Sequence, residues 1–137
     1  MRIILLSGPS GCGKTTTFHE LYDQLTQGAN PLPSKQMDGK DFECVLSYNG
    51  KTVALHSHGD VMKRVVKAIV KYSHVDCLIT AFSVDASKPD KMEFFSTVGS
   101  YHQPPQSHGV QVKTLAQAAN QQAAANAQDA AAIAAMI

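Results

Sequence analysis

The sequence predicts an α/β fold of three layers, in which helices cover both faces of a mostly parallel sheet with an antiparallel hairpin at its edge. Two apolar runs, at residues 2–7 and 75–82, are typical of strands buried on both faces, as in parallel sheets. Amphipathic helical patterns lie between the strand-like runs. Asn49-Gly50 separates two further runs and favours a two-residue hairpin turn. A chain of 137 residues is expected to form a single domain, residues 1–137.

Composition excludes several classes of protein. The chain is 44% hydrophobic and 17% charged, which argues against disordered, fibrous and disulfide-framework proteins. A net charge of +1 gives no strong signal for nucleic acid or an anionic membrane. No apolar run is long enough for a signal peptide or a membrane helix. Three widely spaced cysteines suit reduced thiols, so we expect a cytoplasmic protein without disulfides.

The first third of the chain predicts a strand, a helix and a loop. Residues 2–7 form the first strand, which ends in a Gly/Pro/Ser cluster. A helix over residues 14–27 follows, with Gly28 as its C-terminal cap. Residues 28–41 carry two prolines and two glycines without periodicity, so they are expected to form a functional loop. The helix has four large apolar residues on one face: Phe18, Leu21, Tyr22 and Leu25.

The middle of the chain predicts the hairpin and a second helix. Its strands are residues 42–48 and 51–57, and the helix spans residues 60–73. The lysines at i, i+4 and i+8 of that helix are expected to form a solvated face rather than a nucleic-acid contact: Lys63, Lys67 and Lys71. The residues expected to face inward are Val61, Met62, Val65, Val66 and Ile69.

The last third predicts a strand at residues 75–82, a helix from Ser87 to about Val98, a fifth strand at 109–114 and an Ala/Gln-rich helix at 115–137. The last turn of the final helix carries large apolar residues, which predicts that it docks on the protein. Packing on the sheet is favoured for this helix. The alternatives are a homo-oligomer seam built from its alanines and a frayed tail.

One motif carries the chemistry: Gly8-Pro9-Ser10-Gly11-Cys12-Gly13-Lys14-Thr15, between the first strand and the first helix. Chance supplies the bare pattern in about half a percent of chains of this length. Such a loop bends its backbone amides into a concave site for phosphates at a helix N-terminus. Lys14 is expected to contact the terminal phosphates, Thr15 to bind Mg²⁺, and Thr16 to donate to the α-phosphate. The predicted nucleotide-binding residues are Gly8, Pro9, Ser10, Gly11, Cys12, Gly13, Lys14, Thr15 and Thr16.

These eight residues, with a strand-helix-strand frame over residues 1–82, resemble the P-loop (Walker A) nucleoside triphosphatase superfamily. The chain is also similar to small kinase-like P-loop proteins of phage and bacterial genomes. The resemblance implies a three-layer P-loop fold that binds a nucleoside triphosphate with Mg²⁺ at the carboxyl ends of parallel strands. Hydrolysis or phosphoryl transfer commonly follows.

Asp60 is the predicted second ligand of Mg²⁺, because it follows the strand that ends in His56-Ser57-His58-Gly59. The order of elements is similar to that of small GTPases, whose strand ends Asp-x-x-Gly. Here His56 replaces that acid, and no Asn-Lys-x-Asp motif for guanine is present, so ATP is favoured over GTP. The spacing of His56, His58 and Asp60 leaves a transition-metal site as a minor alternative.

Arg64, one helical turn after Asp60, is the candidate for stabilising charge on the phosphates, with a solvated or salt-bridged residue as the equal alternative. The Asp-Glu pair of many ATPases and the lid arginines of nucleotide kinases have no counterpart. Asp85, Ser87 and Lys88 are expected to form a surface loop, with a lid as the alternative. Cys12 is expected to be a tolerated small side chain, with an alkylation-sensitive thiol as the alternative.

The sequence thus predicts an ATP·Mg²⁺-dependent phosphotransferase or slow ATPase. Its catalytic residues are Lys14, Asp60 and Arg64, and its metal ligands are Thr15 and Asp60. A small molecule with a hydroxyl group is the expected phosphoryl acceptor. The alternative is a nucleotide-dependent binding module with little turnover, and GTPase behaviour comes third.

Overall fold

The computed structural model describes residues 1–85, 94, 96–98, 108–116 and 118–137. Most of the helix expected from Ser87 lies outside the described residues, although Phe94 and residues 96–98 are helical. The described elements are, in chain order, β1 (Arg2–Gly8), α1 (Lys14–Leu25), β2 (Gln36–Asp38), β3 (Asp41–Tyr48), β4 (Lys51–His56), α2 (Met62–Lys71), β5 (Cys77–Ser83), β6 (His108–Val112) and α3 (Ala119–Met136).

These strands form one mixed sheet in the order β2-β3-β4-β5-β1-β6. Strands β4, β5, β1 and β6 run parallel, whereas β3 pairs antiparallel with β4 and β2 antiparallel with β3. The prediction of a mostly parallel sheet with an antiparallel edge is therefore confirmed. Strand β1 lies between β5 and β6, so the segment that follows it leaves from the interior of the sheet.

Helices pack on both faces of the sheet, and β1 shows why. Its residues alternate between the two faces, as the strand period of two requires. Ile4 and Leu6 are fully buried in a core with α1 and α3. Ile3 is fully buried in a second core, which contains α2 and Phe94. A strand with apolar residues on both faces is stable only where both faces are covered, which explains the continuous apolar run.

The hairpin between β3 and β4 turns at Asn49 and Gly50, as predicted. Both residues have positive φ, 50° for Asn49 and 76° for Gly50. Positive φ at both central positions is the type I′ geometry that matches the twist of paired strands. Tyr48 pairs with Lys51 directly across the turn, which sets the register of the hairpin.

Helix α2 is shorter than predicted, and one of its expected core residues is exposed. Val61 precedes the first helical residue and its relative exposure is 51%, so its assignment to the core is wrong. Val61 is the N-cap residue and has extended backbone, so it is not part of the helical face that packs on the sheet. Met62, Val65 and Ile69 are buried as expected, and the three lysines of the stripe are exposed.

Helix α3 packs against α1 and the β1–β6 edge of the sheet, and its small residues allow that close approach. Ala130 and Ile133 are fully buried. Met136 and Ile137 pack against the same core, so the expected docking of the last turn is confirmed. A buried ion pair joins α3 to the segment after β6, because Lys113 Nζ lies 3.0 Å from Asp129 Oδ2.

Several predicted boundaries differ from those of the structure. The expected loop at 28–41 contains β2, whose three residues are all exposed and therefore leave no hydrophobic signal. Helix α1 ends at Leu25 with Thr26 as its cap, before the predicted cap at Gly28. Helix α3 begins at Ala119 rather than 115, and residues 113–116 are not helical. Because β2 was not expected, the predicted fifth strand is the sixth, β6. No helix within the described residues is long and apolar enough to span a membrane.

Candidate functional site

The glycine-rich loop, residues 8–15, begins at the carboxyl end of β1 and ends in the first turn of α1. Gly11 and Gly13 have φ values of 74° and 90°, a region that glycine adopts without steric cost. Gly13 is the N-cap of α1, and no side chain caps the helix. The amides of the first helical turn are therefore available at the positive end of the helix dipole.

Gly8 is required for a different reason, which is close packing. A Cβ atom there would lie 2.8 Å from Cys12 Sγ and 3.0 Å from Lys113 Cβ. The loop thus folds back over the end of β1, while the segment after β6 packs behind it. The thiols of Cys12, Cys44 and Cys77 are all free.

Lys14 is buried inside the loop. Its Nζ donates hydrogen bonds to the carbonyl oxygens of Pro9 at 2.7 Å and Gly8 at 3.1 Å. The nearest carboxylate is that of Asp60, whose Oδ1 lies 3.9 Å from the same nitrogen. The ammonium group therefore lies where the loop carbonyls converge, with one anion at the limit of ion-pair distance.

The Thr15 hydroxyl contacts an acid that sequence reasoning missed. Thr15 Oγ1 donates to Asp41 Oδ1 at 2.7 Å, and Ser57 Oγ donates to the same oxygen at 3.0 Å. Asp41 is the first residue of β3 and Ser57 follows β4, so the hairpin holds the carboxylate against α1. The only signal in the sequence is an aspartate at the end of a functional loop.

Asp60 contacts the other side of the loop through Ser10. Ser10 Oγ donates to Asp60 Oδ1 at 3.2 Å, and the Asp60 side chain is 63% exposed. The Ser10 amide donates to Asp85 Oδ2 at 2.8 Å, and the hydroxyls of Ser10 and Ser83 lie 3.2 Å apart. Asp85, expected in a plain surface loop, thus binds the loop backbone. Ser87 and Lys88, expected beside it, lie outside the described residues.

A cleft of about 260 Å³, here called the loop cleft, opens over these groups. Its lining combines loop residues with three residues from the hairpin side: Gly11, Gly13, Lys14, Thr15, Lys40, Ser57 and Asp60. Thr16 is exposed on α1 and is not among them. The cleft offers oxygen ligands from the side chains of Thr15 and Asp60, which suit a hard cation such as Mg²⁺. Lys14 and Lys40 supply positive charge for an anion.

A second depression, the rear groove, lies on the far side of the loop and has a volume of about 340 Å³. The lining residues come from the loop and from α3 with the connection that precedes it: Gly11, Cys12, Gly13, Leu115, Ala116 and Gln122. Leu115 and Ala116 make part of this surface apolar, and the Gln122 amide provides a hydrogen-bonding group. The rear groove therefore differs in chemistry from the loop cleft.

Arg64 lies in a third cavity, the α2 cavity, rather than in the loop cleft where it was expected. Its Nη1 is 2.8 Å from Asp38 Oδ2 and 2.9 Å from His58 Nδ1. A guanidinium only donates, so a hydrogen bond between these two groups requires Nδ1 of His58 to accept. His58 Nδ1 is also 3.6 Å from Asp41 Oδ2, which brings the α2 cavity close to the Thr15 side of the loop.

His56 is buried and uncharged near neutral pH. Burial, with a smaller contribution from neighbouring His58, lowers the pKa of His56 to about 4. Its Nδ1 lies 2.9 Å from Thr80 Oγ1. Within the described residues no group of three or more His, Cys, Asp and Glu side chains is arranged to hold a metal. The alternative of a transition-metal site at His56, His58 and Asp60 therefore gains no support.

No protein-family model matches this chain, and neither a curated protein nor a solved structure is detectably similar to it. The fold and the site define an α/β protein in which a glycine-rich loop joins an interior strand to a helix. The contacts of that loop and of the cavities beside it therefore indicate its function.

Proposed function

We propose that the protein binds ATP with Mg²⁺ at the glycine-rich loop and is a phosphotransferase or slow ATPase of the P-loop kind. The observation that carries this proposal is the pairing of two contacts at the start of α1. Lys14 places a buried ammonium inside the loop, and the next residue, Thr15, bonds to the carboxylate of Asp41. Lys14, which supplies a cation for phosphate, is thus followed directly by Thr15, whose hydroxyl and bonded carboxylate suit a metal ion.

The burial of Lys14 supports a phosphate ligand. A buried ammonium is costly unless it is paired, and Lys14 has two carbonyl oxygens, which supply only partial charges, and one mostly exposed carboxylate at 3.9 Å. A phosphate carries a full negative charge, so its oxygens would form an ion pair with the ammonium, which uncharged carbonyl groups cannot do. The free amides of the first turn of α1 add donors for the same anion.

The oxygen donors beside Lys14 fit Mg²⁺. Thr15 would be a direct ligand, with Asp41 or Asp60 holding the metal through water. When bound, the ion neutralises charge on the β- and γ-phosphates. Asp41 is the stronger candidate of the two acids, because its carboxylate is already fixed by Thr15 and Ser57, whereas that of Asp60 is mostly exposed.

The rear groove supports a binding site for the nucleotide base. It adjoins Gly11 and Gly13, so a base there would be connected to phosphates in the loop. Leu115 and Ala116 offer apolar contacts for a planar ring, and Gln122 offers a polar one. Because the guanine motif Asn-Lys-x-Asp is missing from the sequence, we propose ATP ahead of GTP.

The test is a thermal-shift and calorimetric titration with ATP, ADP and GTP, each with and without Mg²⁺. ATP with Mg²⁺ is expected to raise the midpoint of unfolding, and Lys14→Ala is expected to abolish that rise. Asp41→Asn is expected to keep ATP binding but to remove its Mg²⁺ dependence, whereas Asp60→Asn, which removes the other candidate acid, is expected to reduce that dependence less. If no nucleotide binds to the unaltered protein, or if Lys14→Ala binds ATP equally well, the proposal is wrong.

A second candidate function is a nucleotide-dependent binding module, with association through α3 as the expected route to an oligomer. The bond from Thr15 to Asp41 favours it, because it links the start of α1 to the first residue of β3, so that a rearrangement at Thr15 would move the β2–β3 edge. A change of molecular mass on adding ATP would support this function. ADP release stimulated by a small acceptor would instead support the phosphotransferase.

A further inference from the structure

The α2 cavity is the largest of the three depressions described above, with a volume of about 460 Å³. It lies between α2 and the β2–β3 edge, outside the loop cleft. This volume falls in the range of sites for small molecules. Three basic side chains of α2 line it, at i, i+3 and i+7: Arg64, Lys67 and Lys71.

The charges of the cavity do not cancel. Arg64 pairs with Asp38 at 2.8 Å, and Lys71 pairs with Glu43 at 2.6 Å. For Lys67, which lies between these two pairs on α2, the structure shows no hydrogen-bond or ion-pair partner among the described residues. Neutral His56 adds no charge to the lining. One positive charge therefore remains uncompensated in the cavity.

The acids of the cavity are engaged rather than free to repel an anion. Glu43 accepts from Lys71 and also from Tyr72 Oη, at 2.7 Å. Burial would raise the pKa of Glu43, but the bonds from Lys71 and Tyr72 outweigh it and hold the pKa below its usual value. Asp38 is likewise neutralised by Arg64, which has further N–H donors to offer a ligand.

We propose that the α2 cavity binds a small molecule through one oxyanion, a carboxylate or a phosphate, held by Lys67 and Arg64. If the protein is the phosphotransferase proposed above, on which this assignment rests, the molecule is the phosphoryl acceptor. It would be a small hydroxyl compound with one acidic group. The position fits this role. Arg64 contacts His58, and His58 lies 3.6 Å from the Asp41 carboxylate that holds Thr15.

The experiment is an NMR titration of the full-length, ¹⁵N-labelled protein with sodium phosphate and, separately, sodium acetate. The amide signals of residues 66–68 report on the α2 cavity, and those of Gly11 and Gly13 report on the loop. Lys67→Gln is compared with Lys63→Gln, an equal loss of charge on the same helix at a residue that does not line the cavity.

Phosphate or acetate is expected to shift the signals of residues 66–68 with a saturable dependence on concentration. Lys67→Gln should raise the Kd read at those signals by about fivefold or more, because it removes the unpaired charge. Lys63→Gln should leave that Kd within about twofold, since exposed charges more distant from the anion are screened. A response to one anion alone identifies the acidic group of the ligand.

Two outcomes overturn the proposal: no saturable shift at residues 66–68 with either anion, or equal weakening by the two lysine variants. Lys14→Ala separates this proposal from the nucleotide site, because it should leave the shifts at residues 66–68 unchanged while removing those at Gly11 and Gly13. Binding of anions at α2 in a protein that binds no ATP would retain the cavity but reject its role as an acceptor site.

Discussion

Removal of the Asp129 carboxylate should destabilise the protein more than most single substitutions. The side chains of Asp129 and Lys113 are both 0% exposed, and their charged atoms are 3.0 Å apart. Asp129 also accepts from the Thr114 amide and hydroxyl, at 2.8 and 2.7 Å, and from Gln111. Asp129→Ala would therefore leave the buried Lys113 ammonium without its counter-ion, with only the Thr114 carbonyl as an acceptor at 2.8 Å, and the Thr114 amide without its acceptor.

The expected loss of unfolding free energy is about 3–5 kcal/mol, which is the cost of removing one partner of a buried ion pair and leaving the other charge buried. For a domain of this size that corresponds to a fall of roughly 10–20 °C in Tm. The double variant Lys113→Met/Asp129→Leu has no orphaned charge. It should retain only the cost of unsatisfied donors such as the Thr114 amide, about 1–3 kcal/mol.

Urea unfolding followed by circular dichroism measures these differences, with Gln111→Ala as a control that removes only the partly exposed donor to Asp129. A loss below about 1 kcal/mol for Asp129→Ala, or a double variant less stable than Asp129→Ala, would refute the reasoning.

The same carboxylate predicts a dependence of stability on pH. Burial alone would raise the pKa of Asp129, but the bonds from Thr114 and Lys113 outweigh it and hold the pKa below its usual value. A lowered pKa in the folded state gives stability that is present above the unfolded value near pH 4 and lost as pH falls through the folded value. The slope of unfolding free energy below about pH 4 should therefore be smaller in Asp129→Asn.

Three further substitutions test the packing. Gly59→Ala should cost about 1–3 kcal/mol, because a Cβ there would lie 2.5 Å from the Cβ of Ala81; unchanged stability in urea would contradict this close packing. Gly50→Ala should cost roughly 1–2 kcal/mol through its φ of 76° alone, since among the described residues no atom beyond the chain neighbours lies within 4 Å of the added carbon; a larger loss would show that the turn has other constraints. Phe18→Ala should cost about 3–5 kcal/mol by emptying a fully buried site, and a loss below about 1 kcal/mol would show that the α1 face is loosely packed.

The parts of the fold that were predicted from sequence have local causes. The turn at Asn49 and Gly50 needs two residues that tolerate positive φ, and such pairs are visible in the sequence. The run through Ile3 and Ile4 is apolar on both faces because both faces are buried. The glycine-rich motif has a fixed length and lies between a strand-like run and a helical pattern, so its position between β1 and α1 could be predicted.

The parts that were missed depend on contacts between distant segments. Strand β2 consists of exposed residues, and only its pairing with β3 defines it. Asp41 contacts Thr15 because the hairpin brings the two residues together. Asp85 contacts the Ser10 amide because β5 lies next to β1. Arg64 faces a different cavity from Asp60 although only one turn of chain separates them. Local periodicity contains no information on these distances.

The pairing of β1 with β6 has a consequence for the kinetics of folding. Ile3 pairs with His108, and the Lys113 amide donates to Ser7 at 2.8 Å, so the first strand acquires its second neighbour from the last quarter of the chain. Contacts of such sequence separation form late, because closing a long segment costs entropy before the contact stabilises it. During synthesis the β3–β4 hairpin and α2 can form early. Strand β1, at whose end the glycine-rich loop begins, stays without its neighbour β6 until the last quarter of the chain has been made. The ATP binding proposed for the glycine-rich loop should therefore appear only with the slowest phase of refolding.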